Sequence, residues 1–189
     1  MFLLRKTKTD TEPLPIKMSG IRMGERLLQI GVDDPKLLAA MALKIGLSGS
    51  ASVAVSDEAA ATRARGGAAG AGALIDLHVT PLDALPFDND AFDVVVVHGV
   101  NGLLPSLNDQ ARADRALRET RRVLRHGGRV IVIEAGPKSG LAGVIRPYRP
   151  DAKYEAAGGA VAALQAAGFK PVRMLWEREG YRFTEGLKT

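Results

Sequence analysis

No cysteine occurs anywhere in the 189 residues, which excludes disulfides, thiolate metal centres and cysteine nucleophiles. Histidine is scarce too. His78, His98 and His126 are the full set, too dispersed to build a clustered donor set, so no metal site is expected. Aromatic residues make up 5% of the chain, too few for the stacking platform of a protein that grips single-stranded nucleic acid, and nucleic acid is not an expected partner. No apolar run approaches the roughly 20 residues that a membrane-crossing helix needs. The apolar start at residues 1–4 gives way at once to Arg5, Lys6 and Lys8, which leaves no room for the hydrophobic stretch of a signal peptide. A cytoplasmic chain is the expectation. The formal net charge of +5 is too modest to select an acidic partner by itself.

What is present reads as one α/β domain. Residues 1–24 are rich in Lys, Thr and Pro without a period and end in Gly20 and Gly24, an extended lead-in. From residue 25 to residue 189, short apolar runs alternate with helical patterns, the mark of parallel strands joined by crossover helices. Strands are predicted over 27–30, 52–55, 74–79, 92–97, 130–134, 172–176 and 181–187. The run Val94, Val95, Val96, Val97 is apolar on both faces, as a central strand covered by helices must be. Between the strands, Leu37, Leu38, Met41, Ala42 and Ile45 recur on one helical face, as do Ala113, Ala116, Leu117, Thr120, Val123 and Leu124, and again Ala157, Ala160, Val161, Leu164 and Ala167. Gly46, the pair Gly127 and Gly128, and Gly168 follow these stripes as stop signals. The last two strands are separated by too few residues for a crossover and must form an antiparallel hairpin. The predicted fold is a Rossmann-like three-layer sandwich: seven strands, mostly parallel, with that hairpin at the C-terminus.

Two strings carry a family resemblance. DALPFDNDAFDVVVVHGVNGLL, beginning at Asp83, and ALRETRRVLRHGGRVIVIE, beginning at Ala116, resemble segments of the class I S-adenosylmethionine-dependent methyltransferases, in particular those acting on small molecules and quinone rings. The resemblance implies that S-adenosylmethionine binds at the carboxyl ends of the first strands, where open α/β sheets hold ligands. It places Gln29 and Gly31 at the methionine end of the cofactor, Ser56 or Asp57 at the ribose, Leu82, Asp83 and Ala84 at the border of the adenine, Leu85 around the cofactor, and His98 beside cofactor and acceptor. His98 and Asn101 emerge from an apolar strand and are the candidate catalytic residues, His98 as a general base near neutral pH.

The same positions depart from the family pattern. Gln29 stands where the family has an acid, Asp33 and Pro35 where it has glycines, and Pro81 where it has a second acid. Each also has a structural use. Asp33 or Asp34 followed by Pro35 is a helix cap with proline at the first helical position, and Ser56 or Asp57 suits the cap of the next helix. Two functions therefore follow from the sequence: a divergent methyltransferase acting on a small molecule, or a methyltransferase-like domain that no longer binds the cofactor and serves as a binding or assembly subunit.

Three further strings compete for a role. The glycines between Gly66 and Gly72 lie between a helix and a strand, the reverse of the order that puts phosphate on a helix N-terminus, and read as a flexible connection. Arg112, Arg115, Arg118, Arg121, Arg122, Arg125 and Arg129 form a basic strip opposite a core stripe, a solvated face or a docking surface for a protein partner. The segment from Ala135 to Tyr154 carries Arg146, Tyr148, Arg149 and Lys153 where the family often meets its substrate.

Overall fold

A computed structural model describes residues 13–99, 110–137, 151–178 and 180–189. In chain order the elements are α1 (Leu14–Ser19), β1 (Arg26–Ile30), α2 (Pro35–Ile45), β2 (Ser50–Val55), α3 (Glu58–Ala71), β3 (Asp76–Val79), β4 (Phe92–Gly99), α4 (Gln110–Val123), β5 (Leu124–Ala135), α5 (Ala152–Ala156), α6 (Gly159–Ala166), β6 (Val172–Arg178) and β7 (Tyr181–Leu187). The seven strands form one sheet in the order β3-β2-β1-β4-β5-β7-β6. Strands β1 to β5 pair in parallel, and β7 runs antiparallel to both β5 and β6. This is the predicted sandwich with its terminal hairpin.

Helices cover both faces because β1, β4 and β5 are apolar on both. Val94, Val95 and Val96 are fully buried, each contributing about 1.5–3 kcal/mol by leaving water. One face packs Leu28, Ile30, Val95, Val97, Val130 and Val132 against α4 and α6. The other packs Leu27, Val94, Val96, Ile131 and Ile133 against α1 and α2. Side chains alternate along each strand, so His98 shares the α1/α2 face with Val94 and Val96, while Glu134 shares the α4/α6 face with Val130 and Val132.

Several expectations change. The lead-in is not extended throughout: residues 14–19 are helical, and Ile16 and Ile21 are buried against α2 and β7. A single turn is too short to show a period, and Pro15, compatible with a first helical turn, hides it further. The glycine string is not a loop. Helix α3 continues to Ala71 and stops at Gly72 in the left-handed conformation. Ala60, Ala61, Ala64 and Ala68 form its buried stripe, and a Cβ on Gly67 would come within 2.5 Å of Pro35, so close helix packing outweighs the poor helical propensity of glycine. The third stripe is split by Gly158, at φ 93°, into α5 and α6. Helix α4 ends at Val123, before Gly127 and Gly128, and those glycines instead shape the start of β5. The pairing with β4 slips between Phe92 and Val94 there, and a Cβ on Gly128 would lie 2.8 Å from the Arg125 carbonyl.

The basic strip proves to be mostly internal fastening. Arg26 and Arg125 both grip Asp93, which also accepts the Arg26 backbone N–H at 2.8 Å. Arg129 pairs with Glu25 at 2.9 Å and donates to the Gly20 carbonyl at 2.7 Å. Arg122 pairs with Glu119 and donates to the carbonyls of Leu85 and Phe87. Arg121 donates to the Gly168 carbonyl, and Arg112 and Arg115 both lie against Asp83.

Candidate functional site

Strand β1 sends its crossover to β2 on one side, while the chain returns through β4 on the other, so the crevice at the carboxyl ends of β1 and β4 is the topological switch point. The sequence from Gln29 to Pro35 forms its floor. Gly31 sits at φ 80°, a left-handed position that favours glycine, and its N–H donates to the Ala54 carbonyl at 3.0 Å. Asp34 is the cap of α2: its carboxylate accepts the N–H groups of Lys36 and Leu37 at 2.9 and 3.2 Å, with Pro35 following.

Gln29 is wholly buried. Its Nε2 donates to the Gly31 carbonyl at 3.0 Å, which aims the amide at the carboxyl edge, and its Oε1 has no partner. His98 lies one register step beyond the Ile30 and Val97 pair, level with Gly31 and diagonal to Gln29 on the same face. It is 1% exposed, and neither ring nitrogen has a partner. Burial pushes the His98 pKa down, while the charges of Asp33 and Asp34 pull it back up. Burial prevails, and the imidazole is neutral, with one N–H and one lone pair to offer. Burial, and then the charge of Asp34, raise the pKa of Tyr181, which packs on this same face.

The remaining candidates lie along the same edge. Asp57 caps α3 by accepting the Ala60 N–H at 2.8 Å, and its other oxygen takes the Ser56 hydroxyl at 3.1 Å. That Ala60 hydrogen bond, then Ser56, hold the exposed Asp57 carboxyl below its ordinary pKa. Leu85 is buried in the core, its N–H given to Glu119 at 3.0 Å and its carbonyl to Arg122 at 3.0 Å. Its backbone is thus committed to α4, leaving the side chain as an apolar wall. Asn101, and Arg146, Tyr148 and Arg149 of the later loop, fall outside the described residues.

Sequence reasoning passed over Glu134 and Tyr154. Glu134 ends an apolar strand as His98 does, and that signal was there to be read; Tyr154 carries none, because its position opposite Glu134 is made by the fold. Burial raises the Glu134 pKa, against the lowering effects of Tyr154 and Arg182. A cavity of about 460 Å³ lined by Ala42, Ile45, Leu47, Leu74 and Ile75 opens at the amino edge of the sheet, the wrong end for the chemistry of a parallel sheet.

Fold and crevice together define a doubly wound ligand-binding domain. Residues 29–132 match the family described as a methyltransferase domain, more than half of the chain, and the protein belongs to that family of S-adenosylmethionine-dependent enzymes. The ubiquinone/menaquinone biosynthesis C-methyltransferase UbiE of Idiomarina loihiensis is 31% identical over 121 residues, 63% of this chain and 46% of that protein. An uncharacterized protein of Mycobacterium tuberculosis is 33% identical over 145 residues, 73% of this chain and 48% of its own length. The chain thus spans about half the length of these curated relatives. Among solved structures, a SAM-dependent methyltransferase from Aquifex aeolicus superposes with a TM-score of 0.72 at 15% identity, covering 93% of this chain and 88% of that one. A SAM-dependent O-methyltransferase from Thermotoga maritima gives 0.65 at 14%, covering 93% and 63%. At those identities the superpositions speak for the fold. Among the described residues no helix is long and apolar enough to cross a membrane.

Proposed function

We propose that this domain binds S-adenosylmethionine in the crevice between β1 and β4 and transfers its methyl group to a small molecule with an electron-rich ring. When bound, the cofactor supplies a methyl on a positively charged sulfur, which a nucleophilic atom of the acceptor displaces. The observation that carries this is the trio of buried, unpartnered polar atoms at the switch point: Gln29 Oε1 and the two ring nitrogens of His98. Such orphans cost about 1–3 kcal/mol each unless something answers them. An amino-acid zwitterion would do so: Gln29 Oε1 and the His98 lone pair would hold its ammonium, and the His98 N–H its carboxylate. Gly31 allows close approach to the backbone. Asp33, near enough to act on His98 electrostatically, supplies negative charge that the family keeps at the position of Gln29. Ser56 or Asp57 is assigned to the ribose hydroxyls and the Leu85 side chain to the adenine. His98 is then a cofactor-holding residue more than a base, and Asn101 remains a candidate for the acceptor side.

Similarity to the quinone-biosynthesis C-methyltransferases supports a ring acceptor, and transfer of labelled methyl to naphthohydroquinone under anaerobic conditions is the activity to assay. Calorimetry with S-adenosylmethionine and S-adenosylhomocysteine tests the binding. Saturable heat that is lost in Gln29→Leu, in a chain that still melts cooperatively, is the expected result. No heat at millimolar ligand overturns it and favours the binding or assembly subunit, for which the self-capping of Asp34 speaks.

A further inference from the structure

A second set of buried polar atoms lies on the opposite face of the sheet at the same edge. Register pairs Glu134 with Gly99 on β4 and with Arg182 on β7, and pairs Val132 with Thr184. Glu134 and Thr184 therefore project side by side towards the helical layer that contains Tyr154. Glu134 is 7% exposed and Thr184 1%. Glu134 Oε2, Thr184 Oγ1 and the Tyr154 hydroxyl are all buried; Glu134 and Tyr154 interact with each other without a well-formed hydrogen bond, and Thr184 Oγ1 has no partner. Native chains tolerate few such groups. The guanidinium of Arg182 is held by Glu155 and Glu177. Gly99, level with Glu134 on the same face, contributes no side chain, so among the described residues no β4 side chain covers that flank of the carboxyl. Burial favours the neutral form of both Glu134 and Tyr154, and each then has an O–H to donate.

We propose that Glu134 and Tyr154 are the acceptor-recognition pair of this domain, holding a hydroxyl or carbonyl oxygen of an uncharged, planar ring compound beside the end of β4. The proposal rests on the methyl-transfer reading for the identity of its ligand as an acceptor. The ligand class follows from the surroundings. Neighbouring O–H groups suit an oxygen that offers lone pairs, and the residues packed around them, Val97, Val132 and the Tyr154 ring, are apolar. An anionic acceptor is disfavoured, because Glu155 lies within electrostatic reach of both residues and Arg182 is already paired. Glu134 and Tyr154 answer each other only in part, and that gives selectivity: a ligand without the oxygen leaves their remaining hydrogen-bonding capacity unfilled.

Calorimetry with naphthohydroquinone, and with naphthoate as the anionic control, tests the pair in the full chain and in Glu134→Leu, Glu134→Gln and Tyr154→Phe. Wild-type protein is expected to bind the hydroquinone and not naphthoate. Glu134→Leu and Tyr154→Phe should each weaken binding about tenfold, the loss of one buried hydrogen bond. Glu134→Gln should keep most of it, because a neutral amide still donates. Affinity for S-adenosylhomocysteine should not change in any variant. Glu134→Leu removes a buried carboxyl but also takes from the Tyr154 hydroxyl its neighbour, so its melting is measured beside its binding; if it unfolds, Tyr154→Phe alone decides. Absence of hydroquinone binding in the wild type, unaltered binding in Tyr154→Phe, or preference for naphthoate overturns the proposal. Hydroquinone binding that depends on the pair, without homocysteine-nucleoside binding, would retain the site and remove the methyl-transfer reading instead.

Discussion

The two edges of the sheet treat their buried polar groups differently. At the amino edge Asp93, Glu25 and Asp90 are each met by a cation, from Arg26 and Arg125, from Arg129, and from Lys188. At the carboxyl edge Asp34, Asp57 and Arg182 are also satisfied, but Gln29, His98 and Thr184 bury polar atoms without partners and Glu134 and Tyr154 reach only each other in part. Both edges are built from the ends of the same strands, so strand composition does not explain the contrast. Paired charges fasten the strand starts to their neighbours, whereas unanswered groups lower stability and leave hydrogen-bonding capacity for a ligand. The comparison teaches that the charge-paired groups and the unpartnered buried ones of this domain are separated by the length of a strand.

The contrast can be broken most severely at Gly31. In Gly31→Val a β-branched side chain must occupy a left-handed position, at a cost of about 1–3 kcal/mol in backbone strain, and it also fills the crevice. Binding of S-adenosylhomocysteine should fall on the order of 100-fold, a difference of about 2.7 kcal/mol, read by calorimetry. Next comes Asp93→Asn at the other edge, which should lower stability by about 1–3 kcal/mol, measured by denaturant unfolding, with ligand affinity untouched. Burial alone would raise the Asp93 pKa, but the Arg26 side chain and backbone N–H, with Arg125, hold it well below the ordinary carboxylate range. The stabilisation is therefore present above about pH 4 and disappears as the pH falls below it. Asp93→Asn should flatten that acid limb.

A smaller effect sharpens the carboxyl side. The His98 pKa is depressed by burial, so the unfolded chain takes up a proton that the folded chain refuses, and stability declines as the pH falls below about 6.5. His98→Leu should remove this dependence, visible as a melting temperature that no longer drops between neutral and mildly acidic pH. The least effect is expected from Arg112→Ala: half-exposed and 3.7 Å from Asp83, it should change stability by no more than about 0.5 kcal/mol.

Elements with a long period or an unbroken apolar run were legible residue by residue. Val94 to Val97, the α2 stripe from Leu37 to Ile45 and the short connection before Tyr181 led directly to a central strand, a crossover helix and a hairpin. Asp34 and Asp57 were legible as caps, since a short acid before a helical pattern has a local use. The glycines of α3 were not, because Gly67 is selected by Pro35, 32 positions away in the chain. The arginine strip was legible only as a face turned from the core, for the same reason: periodicity shows which side of a helix faces away, but not that Asp93, Asp83 and Glu25 wait there.

The sequence by itself determined the class of fold, the edge at which a ligand is proposed to bind and the departures at Gln29, Asp33 and Pro35, because periodicity, turn chemistry and local motifs are properties of neighbouring residues. Only the tertiary structure decided which polar groups are satisfied. Gln29 and His98 converge through the register of β1 on β4, and Glu134 and Tyr154 through a helix returning over β5. Hydrogen bonding is a matter of proximity in space, and burial withdraws the water that would otherwise have answered those groups.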